Sequence, residues 1–162
     1  MCTRIFYETG TGSFITGRSM DWRDVTMESD LWVFPRGLAR NGGVGEGSAA
    51  WTSKYGSVIV SIYNLATSDG LNEAGLAGNM LYLVESTYGD PAARGKPLIS
   101  VGAWLQYMLD NFANVAEAVA AMEGDPLTII TGEARTARPP MCIWRFPMRP
   151  ATARFSNSSA VS

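Results

Sequence analysis

At 162 residues and 17.5 kDa, with 46% apolar and 17% charged residues, the chain has the make-up of one soluble globular domain. A net charge of −2 gives no reason to expect a nucleic-acid or anionic-membrane partner. With no histidine, and Cys2 and Cys142 as the only cysteines, Ser-His and Cys-His pairs, histidine-containing zinc sites, a disulfide framework and an all-cysteine metal site are all excluded, and neither metal nor cofactor is expected.

Residues 2–8 and 13–18 alternate and are rich in Ile, Phe, Tyr and Thr, and Gly10-Thr11-Gly12 separates them, which predicts a β-hairpin. Leu31-Trp32-Val33-Phe34 predicts a short strand that stops at Pro35. The Gly-rich stretch from Arg40 to Ser48 reads as a surface loop, and Ser57 to Tyr63 as a buried strand. Asp69-Gly70 reads as a turn, with a further strand from Gly78 to Val84. Val101, Trp104, Leu105, Met108, Leu109 and Phe112 form one apolar helical stripe capped by Ser100. Val115, Ala118, Val119 and Met122 repeat the pattern between Asn114 and Gly124. Strands followed by helices imply an α+β fold.

After Arg135 the composition breaks. From Thr136 to Ser162 there is no Asp, Glu, Lys or Gly, and four of the eight prolines fall there. Residues 1–135 therefore read as the folded part and 136–162 as an out-of-frame or disordered tail. Reading codons in a shifted frame from Pro139 permits alternating apolar residues around a Ser-Asp-Ala-Thr-Gly-Asp turn, a second hairpin. No apolar run approaches the ~18–20 residues of a bilayer span, and no basic segment precedes a hydrophobic one. The expected location is the cytoplasm, or the periplasm if the true start lies upstream.

Chemistry is concentrated at the start. Removing Met1 leaves Cys2 with a free α-amine, titrating near ~7.7–8, and a thiol near ~8.5, a base and a nucleophile on one residue. A hairpin centred on Thr11 sets Cys2 opposite Met20, with Arg18 diagonal on the same face and able to favour the thiolate. Asp21, just past the pairing, can orient the amine.

Met-Cys-Thr-Arg at the start, Ile15-Thr-Gly-Arg-Ser-Met-Asp-Trp22, and Asp69-Gly-Leu-Asn-Glu-Ala-Gly-Leu-Ala-Gly-Asn-Met-Leu-Tyr-Leu83 resemble the choloylglycine hydrolase and penicillin V acylase family over residues 1–135. The resemblance implies an N-terminal-nucleophile αββα four-layer sandwich, here an incomplete half, that hydrolyses linear amide C–N bonds of a small-molecule acyl amide. It implies Cys2 as nucleophile, Arg18 and Asp21 as supporting charges, and Tyr82 offering a backbone N–H to the oxyanion. Tyr at that position, where bile salt hydrolases commonly carry Asn, tilts the substrate towards aryl-acyl or fatty-acyl amides. Trp22 and Met20 would face substrate. Asn72 and Asn79 read as turn and strand residues. Complete members of the family are about twice as long and often homo-tetrameric, and add an Asn and an Arg to the site downstream. The expectation is a truncated chain, weakly active or inactive. The alternatives are a non-catalytic fragment of a disrupted gene or a small binding module.

Overall fold

A computed structural model describes residues 2–22, 24–81, 86–90, 92, 95–131 and the backbone of 153–157. The expected hairpin forms from β1 (Cys2–Glu8) and β2 (Phe14–Met20). Its register pairs Cys2 with Met20 and Glu8 with Phe14, so the turn centres on Thr11. Gly10 and Gly12 take φ of 77° and 78°, which side chains with a Cβ resist, and the Thr9 N–H closes the loop on the Ser13 carbonyl at 2.9 Å.

β3 (Leu31–Phe34) has the predicted bounds, and β6 (Ser57–Ile62) is the buried strand, its alternate residues Ser57, Ile59 and Ser61 pointing inward. Between them β4 (Ala39–Asn41) and β5 (Ala50–Thr52) pair as a small hairpin within and beyond the expected loop. β7 (Ala66–Asn72) and β8 (Leu76–Met80) follow. β9 (Leu98–Ser100) leads into α1 (Val101–Asn111), and α2 (Val115–Met122) into β10 (Thr128–Ile130), which pairs parallel with β9. The main sheet is antiparallel, in the order β11-β8-β7-β6-β3, with β11 (Ala153–Asn157) on the outer edge.

Both predicted caps form. Ser100 Oγ accepts from the Ala103 N–H at 3.2 Å, and Asn114 Oδ1 accepts from the Glu117 N–H at 2.9 Å. Glu117 reaches back to the Ala113 N–H at 2.9 Å, completing a reciprocal cap one residue beyond the usual box.

Asp69-Gly70 is not a turn: both residues lie inside β7. The turn lies upstream, where Tyr63 and Asn64 have φ of 53° and 52° between β6 and β7. Gly70 is in the strand because α1 crosses it. A Cβ there would stand 2.5 Å from Leu109 Cδ1 and 2.8 Å from Ile59 Cγ2. Gly70→Ala is therefore expected to cost about 1–3 kcal/mol of stability, read by denaturant titration. A cost below about 0.5 kcal/mol would show that α1 does not press on β7.

The core of Ile59, Leu76, Leu105 and Leu109 fills the space between sheet and α1, with Phe34, Met80, Phe112 and Val115 packed around it. Asn72 ties the layers together. Its Nδ2 donates to the Leu109 and Phe112 carbonyls, and its Oδ1 caps the β7–β8 turn. The β1–β2 hairpin lies over the opposite face, giving the expected α+β layering of helix, sheet and hairpin. It leaves Leu31, Val33, Val58 and Leu71 on that face exposed. Among the described residues no helix is long and apolar enough to cross a membrane.

Candidate functional site

Alternation along the hairpin puts Cys2, Arg4, Arg18 and Met20 on one face, because directly opposed residues share a face in an antiparallel pair. All four are half-buried between hairpin and sheet. The diagonal predicted from sequence is observed: Arg18 Nη1 lies 3.9 Å from Cys2 Sγ. A guanidinium keeps its charge at any working pH, so this neighbour favours a negative sulfur.

Arg18 is held from below by β7 and β8. Nε donates to Asp69 Oδ1 at 2.6 Å and Nη2 to Asp69 Oδ2 at 2.8 Å, a bidentate fork; Nη2 also reaches the Met80 carbonyl at 3.1 Å. Asp69 accepts two further hydrogen bonds, from Asn79 Nδ2 at 2.8 Å and from Ser68 Oγ at 2.7 Å. Asn79 is itself held by Arg4, whose Nε donates to Asn79 Oδ1 at 2.7 Å. Two arginines that oppose each other on the hairpin thus find separate partners, which are themselves paired across β7 and β8.

Burial alone would raise the Asp69 carboxyl. The hydrogen bonds from Arg18, Asn79 and Ser68, together with the Arg18 charge, outweigh it and hold the group below its ordinary 3.8. A carboxyl depressed on folding stabilises the fold fully above its unfolded value, and that contribution disappears as pH falls through the folded value. The melting-temperature gap between the natural chain and Asp69→Asn is therefore expected to be largest above about pH 5 and to close near about pH 2. A gap that stays constant over that range would mean that ionisation of Asp69 contributes nothing.

Asp21 follows β2 directly and is exposed, at the strand end where Cys2 lies. Trp22 is half-buried, and its indole N–H donates to Tyr63 Oη at 2.7 Å. Tyr63 Oη in turn donates to Asp24 Oδ2 at 3.0 Å, so the segment after β2 is pinned to the β6–β7 turn. Tyr82 lies outside the described residues. The structure thus brings Cys2, Arg18 and Met20 together and sets Asp21 and Trp22 at the same end. Among the described residues, no three His, Cys, Asp or Glu side chains cluster as metal ligands would.

Sequence reasoning missed Asp69 as part of this site, and took Asn79 as an ordinary strand residue. The one available signal was two polar residues ten positions apart in neighbouring strands, each beside a glycine.

The model for the linear amide C–N hydrolases of the choloylglycine hydrolase family matches residues 2–138. A penicillin V acylase from Pectobacterium atrosepticum is 49% identical over 139 residues, covering 80% of this chain and 36% of that protein. The solved penicillin V acylase from Agrobacterium tumefaciens superposes with a TM-score of 0.74 at 52% identity, over 81% of this chain and 40% of that one. The C2A mutant of the conjugated bile acid hydrolase from Clostridium perfringens gives 0.62 at 26% identity, over 80% of this chain and 39% of that one. The chain therefore spans well under half the length of these relatives and shares the α+β fold of this part of them. With the matched segment running from Cys2 through the whole hairpin and sheet that hold Arg18, the chain belongs to the choloylglycine hydrolase family of linear amide C–N hydrolases.

Proposed function

We propose that this chain carries the nucleophile-bearing part of an amide hydrolase of the penicillin V acylase type. The carrying observation is the approach of Arg18 Nη1 to Cys2 Sγ, with Arg18 locked from the sheet below. In this reading the α-amine freed by loss of Met1 takes the thiol proton, and the thiolate adds to the amide carbonyl. Collapse of the adduct expels the amine product, which leaves with that proton, and an acyl thioester remains on Cys2. Water, deprotonated by the same α-amine, then releases the acid.

Asp21 orients the amine, Trp22 and Met20 border the acyl group, and Tyr82, outside the described residues, is the position to which the family resemblance assigns the backbone N–H for the oxyanion. The 49% identity to a penicillin V acylase supports an aryl-acyl or fatty-acyl amide as substrate. By the family resemblance a second oxyanion donor lies downstream of the matched residues 2–138, and a site without one donor typically loses ~10²–10³ in rate. Acylation of Cys2 is therefore expected with little turnover. The test is intact-mass analysis of the Met1-processed chain after incubation with penicillin V. A phenoxyacetyl adduct on the Cys2 peptide supports the reading; its absence, with Cys2 free and reduced, overturns it. Release of phenoxyacetic acid over many turnovers would overturn the weak-turnover part.

We further propose that residues from about 136 onward are read out of frame. The family match ends at residue 138, beside the break after which Asp, Glu, Lys and Gly vanish. Sequencing the DNA around codons 135–139 and finding no open shifted frame downstream would exclude this.

A further inference from the structure

We propose that Asp69 is the positioning residue that aims Arg18 at Cys2. The inference deepens the assignment of Cys2 as nucleophile and rests on it. A guanidinium is a rigid plane of donors on a long flexible stem, so its direction is set by whatever binds its fork. Here Nε and Nη2 go to the two Asp69 oxygens, and Nη2 also to the Met80 carbonyl. Those bonds fix the plane and turn Nη1, the other terminal nitrogen, towards Cys2 Sγ. Asp69 is fixed in its turn: Asn79 holds one oxygen and Ser68 the other, while Arg4 holds Asn79. Side chains from β1, β2, β7 and β8 thus meet in one network whose outward end is the contact with sulfur.

A rival account gives the opposite sign. If Asp69 acted only through its charge, it would partly cancel the Arg18 field, and removing it would make the thiolate easier to form. If Asp69 acts by holding Arg18, removing it lets the guanidinium swing away, and the thiolate becomes harder to form. Among the described residues, the charged groups on the elements that meet at the sulfur are Arg18 and Arg4 on the hairpin, Asp69 on β7 and Asp21 beyond β2, beside the α-amine of Cys2 itself; β8 presents the uncharged Asn79 and Met80.

The experiment is the rate of iodoacetamide alkylation of Cys2 between about pH 5 and pH 10 in the full chain, read on the N-terminal peptide so that Cys142 does not contribute. Asp69→Asn is expected to move the half-maximal pH up by about one unit and to slow alkylation at pH 7 by up to about tenfold. Asn79→Ala keeps the Asp69 charge but removes one of its anchors, and is expected to move the profile in the same direction by less. Glu73→Gln removes an equal charge at an exposed ion pair with Arg36 and is expected to leave it unchanged. A profile that stays in place or moves down in Asp69→Asn overturns the proposal, even if the melting temperature falls. Should Asp69→Asn not fold, Asn79→Ala decides by the same criterion. The readout needs no substrate, so failure to acylate with penicillin V would leave this result standing, and an unmoved profile would sink this inference alone.

Discussion

Asp110→Ala is expected to destabilise the fold by about 3–5 kcal/mol, a large part of the ~5–15 kcal/mol that holds a typical domain together. Asp110 is fully buried on α1. Its Oδ2 accepts from Trp51 Nε1 at 2.7 Å and lies 3.4 Å from Arg40 Nε, and its Oδ1 accepts from Gln106 Nε2 at 2.7 Å. Gln106 extends the network to Ser57 at 3.1 Å and Thr67 at 3.1 Å, while the Asp110 carbonyl accepts from the Lys54 and Tyr55 N–H groups. One side chain therefore couples α1 to β4 and β5 and, through Gln106, to β6 and β7. Alanine would leave the Arg40 charge, which lies 4.1 Å over the Phe34 ring, without its carboxylate in a partly buried place. Removing one partner of such a pair costs more than the pair contributes, because the survivor stays desolvated. Asp110→Asn keeps an acceptor for Trp51 and is expected to cost less, about 1–3 kcal/mol. Guanidinium titrations of both variants give the comparison. A loss below about 1 kcal/mol for Asp110→Ala would mean that water replaces the carboxylate and that the network is not a structural anchor.

The same residue shows where the sequence stops being legible. The α1 stripe was readable because Leu105, Met108 and Leu109 recur with the helical period, and burial follows that pattern. Gln106 and Asp110 also sit four apart, but polar residues at that spacing look like a solvated face, and only the hairpin β4–β5 and strand β6 arriving from far along the chain bury them. Asp69 failed for a related reason. Asp-Gly is a local turn signature, whereas here the glycine answers to the helix above and the carboxylate to an arginine 51 residues earlier. β9 and β10 are three residues each and pair parallel across about thirty residues, so neither carries a local period. The β1–β2 register, by contrast, was fixed by alternation and by a turn rich in glycine, and with it came the Cys2–Arg18 diagonal. Trp22 and Tyr82 entered through the family resemblance, and Asp21 through its place just past the pairing. Their geometry relative to the thiol was not something that spacing alone could supply.

Retention of Met1 is expected to slow acylation of Cys2 by penicillin V at least ~10²-fold, the usual range for loss of a general base. Cys2→Ala is expected to abolish acylation, since nucleophile removal costs far more than that in enzymes of this logic. Few groups could take the thiol proton. The sequence has no histidine. Asp69 is the buried carboxylate nearest in the network, but Arg18, Asn79 and Ser68 occupy its oxygens and lower its proton affinity, so it is a poor base. An ordinary carboxylate, near ~3.9, lies far below a thiol near ~8.5 and is poorly matched to taking its proton. The α-amine near ~7.7–8 is the group matched to the task, and it exists on Cys2 only when Met1 is gone. A chain that keeps Met1 still has the thiol, Arg18 and Asp69, so its alkylation by iodoacetamide is expected to change far less than its acylation. Intact mass identifies the two forms in one preparation, and single-turnover acylation of each can be followed by the same measurement. Equally fast acylation of the Met1-bearing form would show that the base is not the amine, and would move the search to Asp21.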